Sequence, residues 1–396
     1  MAHTWSFRFP LCGKRRAFKY FVLCTVERKH SCKIFLAFRV PAPALAVDYT
    51  INDAGVLRDY GFCVEDGVVE QVGPVSFRRG PRRLEPEAAR ALDHYCERRM
   101  LCVLKRYHCP SDRTPANVAK RATSEIQALR RLGRAKGVVS MLETFEYDGA
   151  LYCAMEYLWR GTLWHLIRRN NGLDLHTAKV YALQVAMAIG AIHRQGISHR
   201  DVTSSNVMIT SAGSLKVIDF NLSKSLKNLD ARMNSFVGTY NAMPPEVLHC
   251  HSGSALVSGD PYYTKEIDWW YFGALVYEML TGQLPFHAGN EGAVAFYNKV
   301  ISSPQSINLE AVEDPTARDL VERLMHGVPS ERLGAVGGMA GVIKHPFFAG
   351  VRSSMRPISL PTDYIESRIF ECIKVGSSFS RPRHGMQAMI TGDSGV

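Results

Sequence analysis

Asp201 and Asp219 stand eighteen residues apart, with Asn206 between them. The first lies in His199-Arg200-Asp201-Val202-Thr203-Ser204-Ser205-Asn206, ahead of the apolar Val207-Met208-Ile209. The second closes Lys216-Val217-Ile218-Asp219 and is followed by Phe220-Asn221. A carboxylate and an amide five positions apart on a tight loop, then a carboxylate at the end of a strand, suit phosphoryl transfer. One carboxylate must hold an incoming hydroxyl and accept its proton. The second carboxylate and the amide must hold Mg²⁺ against the phosphates. Either short motif alone could be chance; both, in this order and at this spacing, argue against it.

The set resembles the motifs of the eukaryotic protein kinase family. That resemblance implies that Asp201 is the catalytic-loop base, Asn206 the loop's metal-binding amide and Asp219 the principal Mg²⁺ ligand. Val103-Leu104-Lys105 stands where the family carries the lysine that grips the α/β-phosphates. Glu125, twenty residues on, is placed to pair with Lys105. Gly238-Thr239-Tyr240-Asn241-Ala242-Met243-Pro244-Pro245-Glu246 resembles the family's GT…APE segment, in which Thr239 braces the catalytic Asp. Asp268-Trp269-Trp270-Tyr271-Phe272-Gly273 resembles its DWWxxG helix start, in which Asp268 braces the catalytic loop through its backbone. Arg332 is then placed for a buried ion pair with Glu246; such pairs stand or fall together, because an unpaired buried charge is costly. At the hinge the resemblance gives Met155 as gatekeeper, with Glu156 and Tyr157 beside the nucleotide, and it sets Thr162 where many relatives use an acid to hold the ribose. It also predicts that Leu129, Leu142, His199 and Phe220 stack and end on Asp268. ATP and Mg²⁺ follow as cofactors and proteins as substrates.

Asp268-Trp269-Trp270, Glu331-Arg332-Leu333-Gly334, Ile343-Lys344-His345-Pro346-Phe347-Phe348 and Ser235-Phe236-Val237-Gly238-Thr239 look like the AGC group, which includes the cyclic-nucleotide-dependent and ribosomal S6 kinases. Ser235 occupies the activation-loop phosphosite, which implies an upstream kinase, and Arg200 is a ready cation for that phosphate. The resemblance covers roughly residues 65–350 and fades beyond them.

Three departures stand out. Gly73-Pro74-Val75-Ser76-Phe77-Arg78 is aligned with the Gly-rich phosphate loop but keeps only Gly73, and its proline removes an N–H donor. Asn221 replaces the Gly of DFG; asparagine is among the few residues that enter the left-handed region readily. Thr203 replaces the catalytic-loop Lys, and Ser205 puts no cation two residues later, where tyrosine kinases place an Arg. Loss of a charge-stabilising group slows transfer. A serine/threonine kinase is therefore weighed against a pseudokinase, the same fold used as a binding or allosteric scaffold, with a tyrosine kinase third.

The elements that must position these residues follow from periodicity. Val68–Val72, Met100–Tyr107 and Leu151–Tyr157 read as strands. Asn117–Arg131 has helical spacing, with Val118, Ala122, Ile126 and Leu129 on one face. Thr177–His193 reads as a helix, and Trp269–Thr281 is apolar nearly all round, as a central buried helix should be. Strands first and helices later suggest a small sheet-rich lobe followed by a larger helical one, and the resemblance implies the α+β, bilobal kinase fold: a basic extension over 1–64, a small β-rich lobe over about 65–157, a larger helical lobe over about 158–350 and a tail over 351–396. Arg78–Arg99 and His249–Pro261 read as surface insertions.

Of the eleven net positive charges, seven fall in residues 1–50, where nine Lys and Arg meet only Glu27 and Asp48. A solubilising extension is the plain reading, and no aromatic-basic motif points to nucleic acid. The ten cysteines have no paired CxxC spacing, which argues against zinc and for free thiols of a reducing compartment. The apolar stretch Phe18–Val26 is interrupted by Glu27-Arg28-Lys29-His30, unlike a signal peptide, and no run of eighteen apolar residues exists. A cytoplasmic or nuclear location is the expectation.

Overall fold

The computed structural model describes residues 18–29, 32–41, 62–65, 68–71, 81–83, 96, 101–107, 115–147, 150–228, 230–250, 261–286, 300, 307–352, 364–366 and 390–391. They divide into two compact units, those within Met1–Ala122, Ser140–Trp159 and Thr362–Val396, and those within Thr123–Val139 and Arg160–Pro361.

The first unit is built on the strand that carries Lys105. Its strands are β1 (Phe18–Lys29), β2 (Cys32–Pro41), β3 (Leu101–Tyr107), β4 (Met141–Tyr147) and β5 (Ala150–Glu156). With Ile390–Thr391 at one edge they form an antiparallel sheet in the order Ile390–Thr391, β1, β2, β3, β5, β4. Side chains alternate across a sheet. On one face Ala37, Cys102, Leu104, Tyr152 and Ala154 are buried together, with Phe35, Leu142 and Phe145 packed against them. The Phe145 and Tyr152 rings stack at 5.2 Å. The buried Cys102 thiol, pushed up by burial, donates to the Ala37 carbonyl.

Within the stretch expected to be an extension, the strands of residues 18–29 and 32–41 belong to the main sheet instead. β1 and β2 are strands of the main sheet, and β2 pairs with β3 from Cys32↔Tyr107 to Phe38↔Leu101. Leu36 and Ala37 are fully buried. The charged run Glu27-Arg28-Lys29 that interrupts the apolar stretch is the end of a strand: Lys29↔Cys32 is the last pair of the β1–β2 hairpin. Val68–Gln71 is a strand as expected, but it pairs with Phe62–Glu65 in a separate ladder. Within the expected insertion at Arg78–Arg99, Pro81–Arg83 pairs with Tyr364–Glu366 of the expected tail.

Helix α1 (Pro115–Leu132) starts on a proline, whose missing N–H costs nothing at that position. It covers the expected Asn117–Arg131. The second unit adds α2 (Leu163–Asn170), α3 (Leu175–Arg194), α4 (Ile267–Thr281) and α5 (Pro315–Leu324). Asp174 caps α3 by accepting from the Thr177 N–H at 2.9 Å, and Asp314 caps α5 by accepting from the Ala317 N–H at 2.8 Å. In α4 every residue from Ile267 to Met279 is buried, as its all-round apolar pattern requires. The helix stops at Gly282, left-handed at φ 71°, whose N–H closes on the Glu278 carbonyl at 2.9 Å. Gly273 lets α5 come close: a Cβ there would lie 2.6 Å from Met325 Cγ and 2.9 Å from Leu324 Cβ. Among the described residues α3 alone is long and apolar enough to cross a membrane, but 72% of that stretch is buried inside the protein, as in a core helix.

Four short strands of this unit, β6 (Ile197–Ser198), β7 (Val207–Ile209), β8 (Leu215–Val217) and β9 (Lys224–Ser225), pair as β7 with β8 and β6 with β9. The loops joining them carry Asp201, Asn206 and Asp219.

Candidate active site

Asp268, fully buried near the start of α4, anchors the loop from Ser198 to Asn206. Its Oδ1 accepts from the Arg200 N–H at 2.7 Å. Its Oδ2 accepts from the His199 N–H at 3.0 Å, the Ser198 hydroxyl at 3.1 Å and His193 Nε2 at 2.7 Å. Burial alone would raise the Asp268 carboxyl. The hydrogen bond and charge of His193, the charge of His199 and the Arg200 amide outweigh burial and hold it below the usual carboxylate range. The loop needs this anchor, because Arg200 sits at φ 68°, a region that costs a non-glycine residue energy unless its surroundings enforce it.

Asp201 follows. Its Oδ1 accepts from both the Thr239 N–H at 2.8 Å and the Thr239 hydroxyl at 2.6 Å. Its Oδ2 accepts from Asn206 Nδ2 at 2.7 Å, and the same amide nitrogen donates to the Asp201 carbonyl at 3.0 Å. The carboxylate is thereby fixed in orientation. Thr239 can approach because Gly238, at φ 129°, carries no Cβ: one there would strike the Tyr271 hydroxyl.

The β7–β8 ladder brings the second carboxylate alongside. Val207 pairs with Val217, and the Ile218 N–H donates to the Asn206 carbonyl at 2.9 Å, so Asn206 lies one hydrogen bond from the neighbour of Asp219. Asp219 itself is left-handed at φ 59° and begins the turn Phe220–Leu222. Asn221 lies within that turn and is not among the described positive-φ residues, so its left-handed tolerance is not called on. The Phe220 ring packs edge-on against His199 at 4.8 Å, while His199 Nε2 donates to the Ile218 carbonyl at 2.9 Å. The contacts Phe220–His199–Asp268 of the expected stack are therefore present; Leu129 is buried in the same unit, and Leu142 packs in the core of the first.

A hard cation such as Mg²⁺ takes oxygen ligands and retains several from water and phosphate, so one or two protein groups suffice. Asn206 commits its amide nitrogen to Asp201, which leaves its side-chain oxygen Oδ1 as the acceptor for a cation. With the Asp219 carboxylate next to its hydrogen-bonded neighbour, the donor set fits such an ion. No cluster of three or more His, Cys, Asp or Glu that could hold a metal occurs among the described residues.

In the first unit Lys105 is 3% exposed and its Nζ lies 5.6 Å from the centroid of the Tyr107 ring. By register the face bearing Lys105 also carries Ile34 and Leu36 of β2, Val103 of β3, and Cys153 and Met155 of β5. Glu156 ends β5; its carboxylate accepts from the Ser140 N–H at 2.6 Å and its own N–H donates to the Ser140 carbonyl at 3.1 Å. Tyr157 is buried after it. Glu125, on α1, is 2% exposed. Gly73 lies outside the described residues. The strand beside β3 is β2, and the β1–β2 hairpin contains no glycine from Phe18 to Pro41. Thr162 is the N-cap of α2, accepting from the His165 N–H.

Arg332, 2% exposed, makes the expected bidentate pair with Glu246 at 2.7 and 3.1 Å and also donates to the carbonyls of Glu266 and His326. Ser235 is exposed. Three residues of this framework escaped the sequence reading. His193 and Ser198 bond Asp268, and Tyr263 bonds Arg200 at 2.9 Å. Ser198 and Tyr263 stand at short fixed offsets from Arg200 and Asp268, which is the signal that could have found them.

The protein kinase domain family matches residues 95–348. The chain is 32% identical over 214 residues to the serine/threonine protein kinase ypkA of Aspergillus fumigatus, covering 54% of this chain and 32% of that protein. It is 31% identical over 211 residues to the serine/threonine-protein kinase gad8 of Schizosaccharomyces pombe, 53% of this chain and 34% of that one. It is also 31% identical over 217 residues to ribosomal protein S6 kinase alpha-2 of Mus musculus, 54% of this chain and 27% of that one. The matched part spans between about a quarter and a third of each relative's length. With an α+β framework and the hydrogen-bonded Asp201–Asn206 loop, joined through the Asn206 backbone to Ile218 beside Asp219, behind it, the family match decides the assignment: this chain belongs to the protein kinase family, and its relatives place it near the AGC serine/threonine kinases.

Proposed function

We propose that this protein is a serine/threonine kinase that transfers the γ-phosphate of ATP to hydroxyl groups of protein substrates. The observation that carries this reading is the Asp201 carboxylate, held by three hydrogen bonds from Thr239 and Asn206. A carboxylate oriented in this way receives a serine or threonine hydroxyl and accepts its proton as the hydroxyl oxygen attacks. Asn206, through its amide oxygen, and Asp219 hold Mg²⁺. When bound, the ion neutralises charge on the phosphate oxygens. Lys105 orients the α/β-phosphates, Glu125 fixes Lys105, and Met155, Glu156 and Tyr157 border the base. A double-mutant cycle on Lys105 and Glu125 tests their coupling in turnover, and additive losses would remove Glu125 from this role. An upstream kinase acting on Ser235 belongs to the same reading.

A second reading, a pseudokinase, is favoured by two observations. The β1–β2 hairpin carries no glycine, and Thr203 supplies no cation where relatives have a lysine; its hydroxyl is buried without a hydrogen-bond partner. The test is nucleotide binding with and without Mg²⁺, for the parent and Asp219→Asn, beside phosphate transfer to serine- and threonine-bearing peptides. The kinase reading expects Mg²⁺-dependent binding that Asp219→Asn abolishes, with transfer by the parent. Mg²⁺-independent binding and no transfer would establish the scaffold instead.

A further inference from the structure

Arg200 is 7% exposed, and its guanidinium does not wait for a phosphate. Nε donates to the Leu222 carbonyl at 2.6 Å, three residues beyond Asp219. Nη1 donates to the Tyr263 hydroxyl at 2.9 Å. That hydroxyl in turn donates to the carbonyl of Ser235 at 2.7 Å. The Tyr263 backbone closes a second link: its N–H donates to the Met233 carbonyl at 2.7 Å, and the Met233 N–H returns to the Tyr263 carbonyl at 2.8 Å. One residue back on each strand of this bridge, the Arg232 guanidinium lies 3.9 Å from the centroid of the Tyr262 ring. Tyr263 is 2% exposed and Met233 5% exposed, so these bonds are sheltered from water.

We propose that Tyr263 is a positioning residue that latches the Met233–Ser235 segment to the catalytic loop, so that this segment is ordered with Ser235 unmodified. The inference rests on the kinase reading for its effect on turnover, but its structural half stands apart. A neutral phenol can accept from Arg200 and donate to Ser235 at once; a phenylalanine can do neither. Burial pushes the Tyr263 phenol up, with Arg200 only partly offsetting it, so the proton needed for the Ser235 bond stays in place at neutral pH. Two points on the segment are held through Tyr263, and Arg200 joins them to Leu222. A phosphate on Ser235 would then add a further acceptor to a segment already in place, rather than create its order.

The test uses the full chain, treated with phosphatase and shown by intact mass to carry no phosphate, beside Tyr263→Phe and a Ser235-phosphorylated preparation. Hydrogen exchange over residues 232–238 is read together with kcat, KM and the melting temperature. The latch predicts that the phosphate-free parent protects these amides at least about tenfold more than Tyr263→Phe. It predicts that Tyr263→Phe lowers kcat more than it raises KM for ATP, and that phosphorylation adds less than about threefold further protection. Fast exchange in the phosphate-free parent, slowed tenfold or more by phosphorylation, would overturn the proposal. So would a Tyr263→Phe protein with unchanged exchange. If Tyr263→Phe does not fold, the comparison of phosphate-free and phosphorylated parent still decides. If the parent has no turnover, the kinase reading fails while the exchange data judge the latch alone.

Discussion

Asp201 works at the end of a chain of constraints, and each link can be removed singly. Thr239→Ala deletes the hydroxyl bond at 2.6 Å but leaves the backbone bond at 2.8 Å. A hydrogen bond to a charged group is worth about 1.5–3 kcal/mol, so kcat should fall roughly 10- to 100-fold with little change in nucleotide affinity. Steady-state kinetics on one peptide substrate checks this; an unchanged kcat would mean that the carboxylate is oriented without Thr239. Thr203→Lys should raise kcat, because it restores a cation near the transferring phosphoryl group. A rate no higher than that of the parent would show that the missing lysine is not what limits this protein. These residues were legible in the sequence because they fall in contiguous motifs. His193 and Tyr263 were not, since each acts through a partner 75 or 63 residues away, and of the two only Tyr263 has a local cue, its short offset from Asp268.

At the scale of elements, the sequence revealed the strand with Lys105, helix α1 and the two core helices to within about two residues, because their apolar spacing is unambiguous. The hairpin β1–β2 was hidden for two physical reasons. It carries no glycine signature, and residues 42–100 separate it from the strand with which it pairs. Its apolar runs therefore read as an appendage. The pairing has a measurable consequence. Leu36 is fully buried on the same sheet face as Lys105, so Leu36→Ala should cost about 2–5 kcal/mol of stability. Urea unfolding of the full chain reads this directly. A loss under about 0.5 kcal/mol, the range of an exposed substitution, would return residues 18–41 to the status of an appendage.

For the whole molecule, stability and chemistry meet at Asp268. Its carboxyl is held low in the folded protein, so the charged form binds the loop better than the unfolded chain can. The stabilisation is fully present above the ordinary aspartate value of about 3.9 and is lost as pH falls through the lower folded value. The stability gap between the parent and Asp268→Asn should therefore close as pH falls below about 4; a gap that widens with acid in that range would contradict this. The measurement that bears most directly on the central claim is phosphate transfer by the parent and by Asp201→Asn, at matched nucleotide occupancy. The kinase account predicts that Asp201→Asn binds Mg²⁺-ATP about as well as the parent yet transfers phosphate to peptide serine or threonine at least about 100-fold more slowly. A parent protein that binds ATP and shows no more transfer than Asp201→Asn would contradict it.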